Sequence, residues 1–243
     1  MYYFCSQIKI FMASDPPIID VIIPVFNEED SIGKVVADIP VDLVREVIVC
    51  NNASTDNTGQ VAQNSGATVV FQPWKGYGNA CLKGLEYISK KKIKPDIVVF
   101  LDGDYSDYPQ ELPLLINPIV KDNVDMVIGS RALGNMERGA MMPQQIFGNW
   151  LATTLIKLFF KYEFTDLGPF RAITYSALER LNMQDKNYGW TVEMQVKAAK
   201  HKLITSEVPV SYRKRIGESK VSGTVKGTML AGYKILWTIF KYI

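Results

Sequence analysis

Five short apolar runs, each followed by a polar break and a helical pattern, constrain the fold of this chain most. Residues 18–25 form a β-branched run ended by Pro24 and Asn27, and read as a buried strand. Residues 31–39 then follow a helical pattern, with Asp30 or Ser31 as its N-cap. A second strand covers 46–50, and the polar turn at 51–55 leads to Asp56, which can cap a helix running to about Asn64. A third strand covers 68–71, and the 72–78 loop feeds a helix through Lys90. The fourth strand, 96–101, is very apolar and runs into Asp102-Gly103-Asp104; Pro109 sits where the next helix begins. A fifth strand covers 125–129.

This alternation predicts an α/β fold, a mostly parallel central sheet with helices on both faces. Ligands in such sheets bind beyond the carboxyl ends of the strands. The polar segments 27–30, 51–56 and 102–107 all lie at such ends, so three acid- or amide-rich loops are expected on one rim. After Arg131 the pattern changes. Residues 144–161 suit a long helix with Ile146, Trp150, Leu151, Leu155, Leu158 and Phe159 on one side. A loop and strand follow at 165–174, a helix at 190–200, a last strand at 203–212 and a final helix at 224–242. No repeat, low-complexity tract or linker divides the chain, so residues 18–243 are expected to form a single domain behind an extension, 1–17. Either Met1 or Met12 fits as the natural start.

Composition removes several classes. With 47% hydrophobic and 21% charged residues the chain is too apolar for disorder. A net charge of +2 gives no global field towards nucleic acid, so no nucleic-acid partner is expected. The charge is uneven, however: Arg213, Lys214, Arg215, Lys220 and Lys226 face only Glu218 between positions 213 and 226. Cys5, Cys50 and Cys81 are odd in number and lack metal spacing, which fits reduced thiols in a cytoplasmic chain. One histidine, His201, excludes a histidine-rich zinc site. No run of eighteen apolar residues predicts a membrane-spanning helix, and the short stretch 2–12 lacks the basic start of a signal peptide.

Asp102 and Asp104 carry the sharpest chemical signal. Two carboxylates two positions apart beyond a buried strand can face one hard cation, Mg²⁺ or Mn²⁺. Alone, Asp-x-Asp is common in turns; its place on the rim turns it towards metal and diphosphate. The run from Asn51 to Thr58 reads as a strand-to-helix turn, and also as a set of donors and acceptors for a base and ribose. Glu28 and Glu29 suit ribose hydroxyls or, equally, the first turn of a helix. Gly76 and Gly78 allow backbone to approach a ligand before a helix, with Lys75 beside the nucleotide.

Taken in order, residues 22–29 (Ile-Ile-Pro-Val-Phe-Asn-Glu-Glu), 51–58, Lys75-Gly76, 101–104 and Gly129-Ser130-Arg131 resemble the motifs of family 2 glycosyltransferases, which have the GT-A fold. Residues 166–171 (Asp-Leu-Gly-Pro-Phe-Arg) and 212–220 resemble motifs of the branch that includes dolichyl- and polyprenyl-phosphate sugar synthases. The likeness covers about 18 to 230. It implies an inverting transfer from a UDP- or GDP-hexose, with residues 18–131 holding the nucleotide sugar and 132–243 the acceptor. By position, Pro24, Glu28, Asn52 and Lys75 line the nucleoside site, and Asp102 and Asp104 hold metal and diphosphate. Arg131 lies near the transferred group or the acceptor phosphate, while Arg213, Arg215 and Lys220 clamp phosphates from a mobile loop. Two departures stand out. Relatives usually carry Asp where this chain has Asn51 or Asn52. The lipid-phosphate synthases often carry Gln where it has Ser106, followed here by Asp107.

The acceptor decides the acid–base chemistry. A polyprenyl phosphate is already anionic and needs no base; Arg131, Arg138, Arg213, Arg215 and Lys220 would bring two anions together. A sugar hydroxyl needs a carboxylate base, and Asp166 and Glu193 are the candidates. Glu193 is also expected as a structural partner of Arg171, itself a candidate substrate contact. Bulky residues of the 144–161 and 224–242 helices read chiefly as core, with some forming a peripheral contact to the inner membrane leaflet. Lys157, Lys161, Lys226, Lys234 and Lys241 then lie at headgroup level. Rival readings are transfer to a glycan hydroxyl and an idle nucleotide-sugar binder. A nucleotidyltransferase is disfavoured because residues 25–30 carry no glycine-rich basic loop.

Overall fold

The computed structural model describes residues 16–217, 219 and 225–243. Lys220, Cys5 and the 2–12 stretch lie outside the described residues, as does the Lys226 side chain. Seven strands form one sheet: β1 (Ile19–Val25), β2 (Glu46–Asn51), β3 (Thr68–Phe71), β4 (Ile97–Phe100), β5 (Met126–Ser130), β6 (Arg171–Thr174) and β7 (Thr205–Pro209). Their order is β3-β2-β1-β4-β6-β5-β7. All neighbouring pairs are parallel except those of β6, which runs antiparallel to β4 and β5 and sets Arg171 beside Phe100 and Ile128.

Eight helices cover the sheet: α1 (Ile32–Asp38), α2 (Thr58–Asn64), α3 (Tyr77–Ser89), α4 (Leu112–Asp122), α5 (Pro143–Phe160), α6 (Tyr175–Leu181), α7 (Trp190–Lys200) and α8 (Val225–Lys241). The alternation of strand side chains builds two cores. Ile22, Ile48, Cys50, Val98 and Phe100 face one side, with residues of α3, α5, α6 and α7. Val21, Ile23, Val49, Val99 and Leu101 face the other, with α1 and α4. A helix layer on each face was expected; the reversed β6 and the short α6 were not.

Two helix starts differ in detail from expectation. Ser31 does not cap α1 with its side chain. Its hydroxyl instead donates 2.8 Å to the Gly103 carbonyl, tying the first loop to the fourth. Asp56 does accept from the Thr58 amide at 3.0 Å, and it also accepts 3.3 Å from the Glu29 amide, so it joins two loops as well as starting a helix. In α5 the expected apolar side is turned outward. Ala152, Thr153 and Ile156 are buried, whereas Ile146, Trp150, Leu158 and Phe159 are exposed. The helix packs through Ala152, Thr153 and Ile156, with Leu155 and Phe160 against the same core, and leaves Ile146, Trp150, Leu158 and Phe159 in solvent.

Candidate active site at the strand ends

The β1, β2 and β4 ends meet as expected. Asn27 and Glu28 follow β1, Asn52 follows β2, and Asp102 to Asp107 follow β4. Asp104 is 8% exposed. Its Oδ1 accepts from the Ser106 amide at 2.9 Å and the Ser106 hydroxyl at 2.5 Å. Its Oδ2 lies 3.1 Å from the Arg215 guanidinium. Asp102 accepts 2.9 Å from the Tyr77 hydroxyl. Enclosure by protein, then the neighbouring Asp104 charge, push the Asp102 carboxyl up to about 7. Asp107 is 1% exposed, and neither of its carboxylate oxygens has a hydrogen-bond partner. Burial, with the charges of Asp102 and Asp104, raises it well above the usual carboxylate range. These acids share one basin, and among the described residues only Asp104 meets a cationic side chain, that of Arg215.

Arg131, through its charge, relieves Asp102 and Asp107 only in part. It is held by Asp166 through Nε at 2.8 Å and Nη2 at 2.7 Å, and the Arg131 amide donates to the same carboxylate. Burial, the largest single effect, lowers its affinity for the proton, but the charge and hydrogen bonds of Asp166 together with the nearby Tyr212 and Asp107 outweigh it and raise the guanidinium above its usual range. The guanidinium also lies 5.0 Å from the Tyr212 ring centre. Burial pushes the Tyr212 hydroxyl up to about 12, so it stays protonated. Arg131 and Asp166 are thus brought together, and Asp166 is already neutralised.

The other predicted residues sort into three groups. Glu28 joins the basin: Oε1 takes 2.7 Å from Arg215 and Oε2 takes 3.0 Å from Ser31. Arg213 lies next to it but faces its own chain. Its guanidinium is sandwiched 3.4 Å and 4.2 Å from the Tyr105 and Tyr108 ring centres and donates to the Tyr105 and Asp107 carbonyls. These contacts brace the acidic loop. Asn52 is also occupied, donating 2.7 Å to the Trp74 carbonyl and accepting 2.7 Å from the Gly76 amide. It shapes the 72–76 loop, whose Lys75 ammonium lies 4.4 Å from the Phe26 ring centre. Pro24 is buried within β1, and Arg138 is exposed.

Three expectations are corrected. Arg171 has no exposed surface and donates to the carbonyls of Leu167, Gly168 and Thr191; burial lowers it to about 10. It supports the loop before β6 through main-chain carbonyls. Glu193 pairs with Lys197 at 2.8 Å, not with Arg171, and also accepts from Tyr242 and from the Gln184 and Asp185 amides. Burial raises Glu193, but these donors outweigh it and hold the carboxyl below its usual range, so the group is a weak base. Gly76 and Gly78 do allow a close approach, but to the chain itself. Gly76, at φ +139°, and Gly78 pack on the backbone of Asp185 and Lys186, where any side chain would clash.

Tyr77, Tyr212 and the sandwiching tyrosines were missed as site residues. Tyr77 and Tyr212 come from elements remote in sequence from Asp102 and Asp107, and Tyr105 and Tyr108, within and just after the acidic loop, meet a distant Arg213; no spacing announces either. Asp107 was visible only as the residue after Ser106.

Among the described residues no three His, Cys, Asp or Glu side chains converge as a finished metal site. Asp102 and Asp104 nevertheless fit a hard divalent cation. They offer oxygen donors in an acid cluster with orphaned Asp107 oxygens, and such an ion fills its remaining positions with phosphate oxygens and water.

The sequence and the fold are shared with known proteins. Residues 20–181 match the family described as Glycosyl transferase family 2. An uncharacterised glycosyltransferase of Mycobacterium tuberculosis is 34% identical, over 90% of this chain and 96% of its own. An undecaprenyl-phosphate mannosyltransferase of Micrococcus luteus is 29% identical, over 85% of this chain and 88% of its own. The fold is shared with the crystal structure of glucosyl-3-phosphoglycerate synthase from M. tuberculosis in complex with Mn²⁺, UDP and phosphoglyceric acid, with a TM-score of 0.74 at 23% identity, covering 93% of this chain and 78% of that one. With an acid rim in the place that its fold reserves for ligands and a family match over most of its sheet, this chain belongs to glycosyl transferase family 2 and has the GT-A fold.

Proposed function

We propose that the protein transfers a hexose, with inversion, from a UDP- or GDP-sugar to a polyprenyl phosphate. The observation that carries the acceptor choice is that both candidate bases are held by cations: Asp166 by Arg131 and Glu193 by Lys197. A hydroxyl acceptor needs a carboxylate free to take a proton, whereas a phosphate acceptor arrives ionised. A Mg²⁺ or Mn²⁺ ion on Asp102 and Asp104 would neutralise charge on the departing nucleoside diphosphate. Glu28 and Lys75 border the nucleoside side, and residues 132–243 supply the acceptor side.

The surface beside the site suits a lipid acceptor. Asn149 of α5 donates to the Thr165 carbonyl and accepts from the Leu167 amide, which fixes α5 to the loop carrying Asp166. Phe147 and Trp150, 60% and 58% exposed with ring centres 5.7 Å apart, flank Asn149 on this helix. Phe159 of α5 meets Phe240 of α8 with ring centres 5.7 Å apart, and Tyr233 and Trp237 of α8 are also exposed. Lys157, Lys161 and Lys241 border this face. Aromatic and basic residues on paired helices suit the headgroup level of a membrane. No helix among the described residues is long and apolar enough to cross one. The Micrococcus relative, an undecaprenyl-phosphate mannosyltransferase, supports this acceptor class.

Incubation with UDP- and GDP-sugars, Mn²⁺ and polyprenyl phosphate should yield a lipid-linked monophosphate sugar detectable by mass. Product formed only on glycan hydroxyls would reject the acceptor, and donor binding without any product would favour an idle binder. Replacing Trp150 and Trp237 together by Ala should weaken partition onto anionic vesicles by roughly tenfold. Unchanged partition would remove the membrane-contact reading.

A further inference from the structure

Arg215 occupies the position where cation chemistry at this rim must happen. Its Nη1 lies 3.1 Å from Asp104 Oδ2 and its Nη2 lies 2.7 Å from Glu28 Oε1, while Nε is buried without a partner. The segment is fixed there by backbone as well: the Ile216 amide donates 2.9 Å to the Asp104 carbonyl and the Arg213 amide 2.9 Å to the Ser106 carbonyl. Asp104 Oδ1 is already engaged by Ser106, so Oδ2 is the oxygen best placed to meet an ion, and Arg215 holds it.

A bare divalent cation settling on Asp104 must therefore compete with the guanidinium. It takes Oδ2 from Arg215 and leaves a like charge at close range. A cation that arrives with a nucleoside diphosphate changes that balance, because the diphosphate oxygens give the displaced guanidinium new anionic partners. We propose that Arg215 is a specificity-determining residue: it makes the acid basin resist a bare divalent cation and accept one that comes with a nucleoside diphosphate. The inference rests on the metal-and-diphosphate reading of the site and deepens it. Coupling of this kind is reciprocal, so the metal must tighten the nucleotide by the same factor as the nucleotide tightens the metal.

The test is Mn²⁺ affinity, read from free Mn²⁺ by electron paramagnetic resonance, with and without UDP or GDP. Wild type, Arg215→Met and Arg215→Lys are compared after circular dichroism has shown each to be folded. For wild type, one of the nucleotides should tighten Mn²⁺ by about tenfold or more. In Arg215→Met, bare Mn²⁺ should bind about fivefold more tightly and the nucleotide effect should shrink to about threefold or less. Arg215→Lys keeps the charge and should resist bare Mn²⁺ like wild type. A purely structural role for Arg215 predicts weaker Mn²⁺ binding on its loss, the opposite sign. Bare Mn²⁺ binding that is equal or weaker in Arg215→Met, or an undiminished nucleotide effect, overturns the proposal alone. If wild type binds no Mn²⁺ with either nucleotide, the metal reading of the site falls and this proposal falls with it.

Discussion

The two ends of β1, β2 and β4 treat buried acids in opposite ways. At the amino end, Asp20 of β1 pairs in register with Glu46 of β2 and has no exposed surface, yet every charge there is matched. Arg45 holds Asp20 through Nε at 2.9 Å and Nη2 at 2.6 Å, and Lys91 adds a third contact at 2.7 Å. Glu46 receives Lys91, Thr68 and Tyr87; burial pushes it up, but these donors together hold it below the usual range. At the carboxyl end, Asp102 is pushed up to about 7 and Asp107 has no partner. The difference separates acids that hold the fold together from acids left short of positive charge, and the shortage is what a ligand can relieve.

Four substitutions test that division. Asp104→Ala should lower sugar transfer by about a thousandfold while the thermal transition persists. Unchanged turnover would show that the carboxyl end is not the reacting end. Asp20→Ala should do the reverse. Denaturant melts should show about 3 kcal/mol of lost stability, because Arg45 and Lys91 lose their shared partner, with turnover per folded molecule kept. A large loss of specific activity instead would erase the distinction between the two ends.

Asp102→Asn should be stabilising in the absence of divalent metal, by about 1 kcal/mol at pH 8. The sign follows from the raised carboxyl. Between the ordinary Asp range and about pH 7 the folded state holds a proton that the unfolded chain has released, so wild-type stability falls as pH rises through that window. The advantage of the Asn variant should therefore be small at pH 4, grow to about pH 7 and stay level above it. A difference independent of pH would show that Asp102 is not a strained carboxylate. Tyr77→Phe, which removes the hydroxyl from Asp102, should cost under about 1 kcal/mol of stability. It should weaken Mn²⁺ binding by roughly tenfold, as measured by calorimetry with nucleotide present.

Much of the donor half was readable because its signals are local. An apolar run ending in Asn27, Asn51 or Asp102 specifies both a buried strand and a polar loop at its end, so strand, helix layer and rim come together. What failed was partnership. Glu193 was matched to Arg171 because both are charged and expected inside. The chain solves the two separately, Arg171 with main-chain carbonyls and Glu193 with Lys197 one helical turn away. Asn52 shows the same limit: an amide suited to a base also suits a loop carbonyl, and its actual neighbours are 20 or more residues away. The outward face of α5 was misread because bulky apolar residues on a helix usually mark the core, and nothing in their spacing tells which side small residues will claim.

The reversal of β6 has a consequence for how such a protein can diversify. In a sheet wholly of one direction, the loops feeding into strands gather at the far edge from the chemistry. Because β6 points the other way, the segment leading into it, 161–170, is delivered to the reactive edge, with Arg171 set beside Phe100 at the end of β4. That one segment carries Asp166 and contacts Arg131 and α5, yet belongs to none of the three loops that follow β1, β2 and β4. Rewriting it alters one wall of the basin while the three loops after β1, β2 and β4 stay as they are.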